Sequence, residues 1–243
     1  MNKKIAVLSV SGGMDSTALL LYFLARGFTC HALSFDYGQK HKIELDRFGA
    51  NLCYLSDHDL AVNAKIADLS SVMSLFHSAL TRSDMVVPEG HYADENMKQT
   101  VVPNRNAIFS SLLYGWALSL SKEHDVPAVV GLGVHSGDHE IYPDCRPGFY
   151  DLLIKAFMVG NWDGEQVTFF LPFLSWDKAA ILRGAEFDCK TLGLDFNTVF
   201  ANTNTCYAPD DQGRACGKCG SCTERLEAFE QIGKNDPVLY QGV

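Results

Sequence analysis

The residues best suited to chemistry lie near the start of the chain. Ser11-Gly12-Gly13-Met14-Asp15-Ser16-Thr17 follows an apolar stretch and opens a segment with helical character. Two adjacent glycines let a backbone turn tightly and come close to a ligand with no Cβ atoms in the way. The free N–H groups of such a loop, and of the helix start it leads into, point at one place, which suits an anion such as pyrophosphate. Ser11, Ser16 and Thr17 add hydroxyl donors, so the whole stretch from Ser11 to Thr17 is a candidate phosphate-binding segment. Asp15 stands where it could cap the helix or help hold Mg2+. A Walker loop would need four residues between its glycines and then Gly-Lys-Ser/Thr. A dinucleotide fingerprint would need Gly-x-Gly-x-x-Gly. Neither spacing is present.

The second chemical signal is Cys206 followed by Cys216, Cys219 and Cys222, the last three in the string Cys216-Gly217-Lys218-Cys219-Gly220-Ser221-Cys222. Glycines between thiols allow a turn to bring two sulfurs to one ion. Four thiolates in tetrahedral array suit Zn2+, at a Zn–S distance of about 2.3 Å, and a site filled by four protein ligands is structural rather than catalytic. An iron–sulfur cluster is the competing assignment. Cys30, Cys53 and Cys189 are expected to be small apolar fillers.

These groups need a scaffold, and the chain can supply one. It has 243 residues, 47% hydrophobic and 20% charged, a globular composition. No apolar run reaches the ~18 residues of a membrane span. Met1–Lys4 and the apolar Ile5–Val10 look only briefly like a signal peptide, and Ile5–Val10 is better taken as a first buried strand. With no export signal, the eight cysteines are expected as thiols or metal ligands in a cytoplasmic protein. The net charge of −9 argues against broad capture of nucleic acid.

Periodicity places strands at 4–10, 29–35, 59–67, 128–132 and 167–171. It places helices at 15–26, 41–55, 105–122, 147–159, 176–187 and about 223–232. Strand and helix alternate as in a parallel α/β sheet. Residues 68–103 are irregular, an excursion expected near the site and partly mobile.

Taken together, six strings resemble the 7-cyano-7-deazaguanine synthase family of PP-loop ATP pyrophosphatases. They are Ser11–Thr17, Phe35-Asp36-Tyr37-Gly38-Gln39-Lys40-His41, Leu80-Thr81-Arg82, Val102-Pro103-Asn104-Arg105-Asn106, Tyr142-Pro143-Asp144-Cys145-Arg146, and Asn204-Thr205-Cys206-Tyr207 with the later cysteines. The resemblance implies a doubly wound parallel sheet of the adenine nucleotide alpha hydrolase type over 1–200. It implies a small helical region over 201–243 whose four cysteines bind zinc. It also implies a carbon–nitrogen ligase that uses ATP and Mg2+. 7-Carboxy-7-deazaguanine would attack ATP to give an acyl adenylate, ammonia would displace AMP to give an amide, and a second activation would give the nitrile precursor of queuosine. Adenylation supplies the leaving group that a carboxylate lacks, so the protein's task is to position reactants and neutralise charge.

Carried over by position, the resemblance puts pyrophosphate at Ser11, Gly12, Gly13, Met14, Ser16 and Thr17, with Asp15 helping to place Mg2+ and Phe35 beside adenine. Arg105 would hold the substrate carboxylate or phosphate, with an exposed helix-start arginine as the plain alternative. Asp144 would read the guanine-like amino edge or orient ammonia, and Arg146 would face phosphate or carboxylate. Cys145 has no adjacent base and is expected to pack or touch substrate. Lys178 would neutralise phosphate, or be a solvated helix lysine. A homodimer is expected.

The chain departs from the family pattern in two places. Asn104 stands where a glycine is usual, and Glu140-Ile141 precede the Tyr142 string within His135-Ser136-Gly137-Asp138-His139-Glu140. These departures bear on the amine partner. The alternatives are therefore a ligase joining the activated acid to another amine such as a protein N-terminus, a tRNA sulfur or amino-acid transfer enzyme, and a catalytically silent nucleotide-binding module.

Overall fold

The computed structural model describes residues 4–90, 95–139 and 141–242. Its centre is five strands: β1 (Ile5–Ser9), β2 (Thr29–Asp36), β3 (Asn63–Asp68), β4 (Ala128–Gly131) and β5 (Val167–Phe169). All neighbours pair in parallel, in the order β3-β2-β1-β4-β5. The helices are α1 (Met14–Ala25), α2 (Ile43–Ser56), the single turn α3 (Ser70–Met73), α4 (Arg105–His124), α5 (Pro147–Gly160), α6 (Lys178–Leu192), α7 (Phe196–Ala201) and α8 (Gly220–Gln231).

Burial on both faces explains why β1 and β4 are almost wholly apolar. Side chains of a strand alternate between faces. Ile5 and Val7 join Leu33, Phe35 and Val130 on one side, against Phe109, Leu113 and Ala117 of α4. Ala6 and Leu8 join Cys30 and Ala32 on the other, against Leu19 and Leu20 of α1 and Ile181 and Leu182 of α6. This is the expected doubly wound α/β fold. The chain leaves β1 for β2 and β3 on one side and returns to β4 and β5 on the other. A crevice therefore opens between the carboxyl ends of β1 and β4, where such sheets bind ligands.

Several boundaries differ from those read in the sequence. The strand expected at 59–67 is Asn63–Asp68, with Leu60 and Val62 packing on the second core before it starts and Ile66 56% exposed. The helix expected at 176–187 starts two residues later, where Asp177 Oδ1 accepts from Ala180 N at 2.7 Å, and runs to Leu192 before Gly193 at φ 73°. α7 was not legible: six residues give too little periodicity, although Asp195 Oδ1 caps it by accepting from Thr198 N at 2.7 Å. The irregular 68–103 segment is anchored, since it supplies Met73, Leu80, Met97 and Val102 to the core. His91–Asp94 of that segment lie outside the described residues. Cys53 is exposed and fills no core, unlike Cys30 and Cys189.

Candidate active site

Ser11–Thr17 forms the turn between β1 and α1, at the crevice. Hydroxyls shape it from within. Ser16 Oγ accepts from Ser11 N at 3.1 Å and donates to Gly13 O at 3.2 Å, while Ser11 Oγ accepts from Gly13 N at 3.2 Å. Gly12 has φ 94°, and a Cβ there would lie 2.0 Å from the carbonyl oxygen of Glu44. Its lack of a side chain thus serves the packing of the loop on α2, and Gly13 is the glycine that lines the cleft with Ser11, Met14, Asp15 and Ser16. The Met14 side chain is fully buried, and Thr17 is buried inside the first turn of α1. A Cβ on Gly133, after β4, would come within 3.2 Å of the Asp15 backbone, so that loop is pressed against the start of α1.

The cleft runs from this loop to an aromatic far end. The far end is built by Tyr37, His41, Phe109, Tyr142 and Tyr207. Between them Arg105, at the start of α4, lies 5.9 Å from the ring of Tyr37 and 6.0 Å from that of Tyr142. Asn104 before it has φ 59°. Glycine adopts that conformation freely and asparagine tolerates it, which accounts for the substitution.

Asp15 does not cap α1. Its Oδ2 lies 3.4 Å from Lys178 Nζ and 3.7 Å from His135 Nε2. Burial works against its charge, but Lys178 and His135 outweigh that and hold the carboxyl below its ordinary range. Lys178 is buried, not solvated, and also meets Glu224 Oε2 of α8 at 3.1 Å. Burial disfavours its ammonium, yet Asp15 and Glu224 hold it protonated above the ordinary lysine range. His135 Nδ1 accepts from Gly137 N at 3.1 Å, which leaves Nε2 as the N–H facing Asp15 and Asp138, the latter at 3.4 Å. Asp15 Oδ1 is buried with no hydrogen-bond partner among the described residues. An unpaired carboxylate oxygen facing a phosphate loop fits a hard cation such as Mg2+. Glu140 of the 135–140 loop lies outside the described residues.

The remaining candidates lie around this cleft rather than in it, with Cys145 the exception. Phe35 is buried and stacked under Phe109 at 3.9 Å, so Phe109 is the ring that faces the cleft. Asp144 sits under the start of α4, where its Oδ2 accepts from Asn106 N at 3.2 Å. Cys145 does line the cleft, and its Sγ accepts from Asn106 Nδ2 at 3.3 Å. Burial pushes its thiol far up, which removes a thiolate nucleophile. Arg146 is exposed at the start of α5 and is not among the cleft-lining residues.

The structure adds residues to which no role was assigned from the sequence: Gln39, His41, Glu44, Asn204, Thr205, Tyr207 and Glu224. Two of their strings, 35–41 and 204–207, were visible, but which side chains turn inward depends on the neighbouring elements. Tyr37 and His41 from the β2–α2 connection, Glu44 from the first turn of α2 and Tyr207 from the segment after α7 converge. Glu44 is buried beside His41, with its Oε1 3.8 Å from His41 Nε2. Burial pushes the Glu44 carboxyl up to about 8. Burial, with Arg105 adding to it, pulls the His41 imidazole down to about 3.

The sulfur atoms of Cys206, Cys216, Cys219 and Cys222 lie within 4.8 Å of one another. Cys216 Sγ and Cys222 Sγ are 3.9 Å apart. A tetrahedron with Zn–S of about 2.3 Å has an edge of about 3.8 Å. Backbone N–H groups donate to the sulfurs, from Ala208 and Cys216 to Cys206 Sγ at 3.3 and 3.2 Å and from Cys219 to Cys216 Sγ at 3.3 Å. Such bonds stabilise thiolate ligands. The knuckle is coupled to the cleft, because Asn204, Thr205, Tyr207 and Ser221 line it. Arg225 locks the C-terminal tail over the knuckle. It pairs with Asp236 at 2.7 and 2.9 Å and donates to Thr203 Oγ1 and Thr205 Oγ1 at 2.8 and 3.0 Å.

Residues 5–233 match the family model described as Queuosine biosynthesis protein QueC. A 7-cyano-7-deazaguanine synthase from Marinomonas sp. is 42% identical over 97% of this chain and 98% of its own. The protein named 7-cyano-7-deazaguanine synthase 2 in Colwellia psychrerythraea is 46% identical over 98% of this chain and 99% of its own. Among solved structures, NMN synthetase from Francisella tularensis aligns at a TM-score of 0.42 and 10% identity, covering 96% of this chain and 79% of that one.

Proposed function

Because the chain belongs to the queuosine biosynthesis protein QueC family, we propose that it converts 7-carboxy-7-deazaguanine and ammonia to 7-cyano-7-deazaguanine at the expense of ATP. The observation that carries this is one cleft with two matched ends. At one end are the glycine loop with Asp15 and the buried Lys178; at the other is Arg105 framed by Tyr37 and Tyr142. A planar base fits against aromatic faces, and a guanidinium is the natural partner of its carboxylate.

On this reading Ser11, Gly13, Met14 and Ser16 hold the pyrophosphate, with Gly12 and Thr17 keeping the loop in shape. Lys178 neutralises charge as the α-phosphate is attacked, an electrostatic contribution that a dry cleft strengthens. Asp15 would hold Mg2+, which supplies charge neutralisation to the phosphates when bound. Phe35 supports the wall through Phe109. Asp144 fixes the start of α4 and so aims Arg105, and Arg146 lies at the rim. The four cysteines would hold one structural Zn2+, which fixes the segment 203–207 along the cleft. The nucleotide-binding domain is then 1–200 and the zinc region 201–243. The acidic chain is assigned no nucleic-acid partner, and no helix among the described residues is long and apolar enough to cross a membrane. Thiolate ligands suit a reducing cytoplasm. A homodimer belongs to the same reading, since Leu152, Val159 and Trp162, on and just after α5, leave apolar surface at 71%, 88% and 90% exposure.

The test is pyrophosphate release from ATP and Mg2+ on adding 7-carboxy-7-deazaguanine. Release that depends on the carboxylate supports the reading. Its absence with ammonia present would favour a silent nucleotide-binding module.

A further inference from the structure

Nitrile formation strips three protons from one nitrogen. Ammonia attacks the acyl adenylate, AMP leaves with the C–O electron pair, and one proton is lost to give the amide. The amide oxygen then takes the second AMP group. The two remaining N–H protons leave, the electron pair of the last N–H bond becomes the third C–N bond, and the C–O pair departs with AMP. A proton acceptor is needed at each stage, and the phosphate-binding groups provide none.

Three carboxyl groups line the cleft among the described residues: Asp15, Asp138 and Glu44. Asp15 faces Lys178 and His135 at 3.4 and 3.7 Å, and Asp138 faces His135 at 3.4 Å. Glu44 has no lysine or arginine within salt-bridge distance among the described residues, only His41 at 3.8 Å. It is aimed by Gln39, whose amide is fixed at both ends. Gln39 Oε1 accepts from Tyr37 N at 2.8 Å, and Nε2 donates to Phe35 O at 3.0 Å and to Glu44 Oε1 at 2.8 Å. The close contact of Gly12 with the Glu44 carbonyl holds the first turn of α2 against the phosphate loop.

We propose that Glu44 is the general base that removes the nitrogen protons, oriented by Gln39 and screened from water by Tyr37 and His41. This rests on the nitrile-forming reading above. The groups that face Glu44 are His41, Tyr37 and Gln39 from the β2–α2 connection, Ser11 from the phosphate loop and Arg105 from α4. Burial raises the Glu44 carboxyl to about 8, and Gln39, Arg105 and Ser11 only partly offset it. A base poised near neutral pH both ionises and accepts a proton readily. His41, near 3, stays neutral and does not quench it.

The experiment supplies the preformed primary amide of 7-carboxy-7-deazaguanine with ATP and Mg2+, which removes the titration of ammonia from the measurement. The wild-type rate of nitrile formation is expected to rise with pH through about 8 and then level. Glu44→Gln keeps the shape and is expected to lose roughly 10²–10⁴-fold in this rate and to lose the pH limb. Its single-turnover pyrophosphate burst with the carboxylate, where no nitrogen proton moves, should change far less. Glu44→Asp, should the glutamine variant fail to fold, is expected to be slower yet to keep a pH limb. Nitrile formation by Glu44→Gln at the wild-type rate with the limb intact would overturn the proposal, as would an aspartate variant without any limb. Wild-type enzyme that releases pyrophosphate but forms no nitrile would overturn the parent reading instead, so the two failures are told apart.

Discussion

The backbone N–H of Asn204 donates to the carbonyl oxygen of Gly12 at 3.0 Å. Asn204 stands two residues before Cys206, and Gly12 is the residue that packs the phosphate loop on α2. The segment leading into the cysteine cluster and the phosphate loop are therefore joined by a direct hydrogen bond.

Cys219→Ser tests that coupling. Removing one of four thiolates is expected to release the metal and lower stability by several kcal/mol, because metal binding is coupled to folding. ATP affinity should fall as well, since the segment 203–207 loses its anchor. Metal content, a melting curve and ATP titration measure the three effects. Unchanged ATP affinity in a metal-free, folded variant would sever the two sites.

Gly12→Ala places a Cβ 2.0 Å from Glu44 O at a φ of 94°. Neither the contact nor the conformation suits alanine, and a strained position of this kind costs about 1–3 kcal/mol before the clash is counted. The variant is expected to melt lower and to lose ATP binding. Gly13→Ala should be milder for stability, with its nearest contact at 3.3 Å, and should act mainly on the nucleotide.

Lys178→Met leaves Asp15 and Glu224 buried without their cation. Breaking a buried pair costs about 3–5 kcal/mol, and loss of a charge aimed at the reacting phosphate costs about 10²–10³-fold in kcat. Pyrophosphate release by the folded fraction, counted by active-site titration, separates the two. An unchanged kcat in that fraction would confine Lys178 to a structural role.

Glu44 and His41 shape stability against pH in opposite senses. The Glu44 carboxyl is raised from 4.5 to about 8 on folding, so the unfolded chain ionises first. Its contribution is complete below pH 4.5 and is lost as pH rises to about 8. His41 is depressed from 6.5 to about 3, so its contribution is complete above pH 6.5 and is lost as pH falls to about 3. Between 4.5 and 6.5 the two slopes oppose each other. Glu44→Gln should match wild type below pH 4.5 and gain on it steadily up to about pH 8. Melting curves across that range check the sign, and a constant difference would contradict it.

What the sequence revealed was local. Ser11–Thr17 is a contiguous loop whose chemistry depends on its own backbone, and the Cys216–Cys222 spacing brings sulfurs together without help from elsewhere. The parallel sheet followed from apolar runs too short to be helices. The aromatic end of the cleft is assembled from four separate segments, so their strings and Arg105 were visible but not which rings turn inward. Phe35, a plausible adenine wall on sequence, turns into the core under Phe109. Glu44 looked like an ordinary helix residue and Lys178 stood open between phosphate partner and solvated lysine, and only packing against α4 and α8 shows that both are buried beside the site.

The most direct measurement is the mass of the product formed from 7-carboxy-7-deazaguanine, ATP, Mg2+ and ammonia. The expected result is 7-cyano-7-deazaguanine with release of pyrophosphate. An amide as the final product, a mass gain on a protein, or ATP bound without any pyrophosphate released would contradict the central claim.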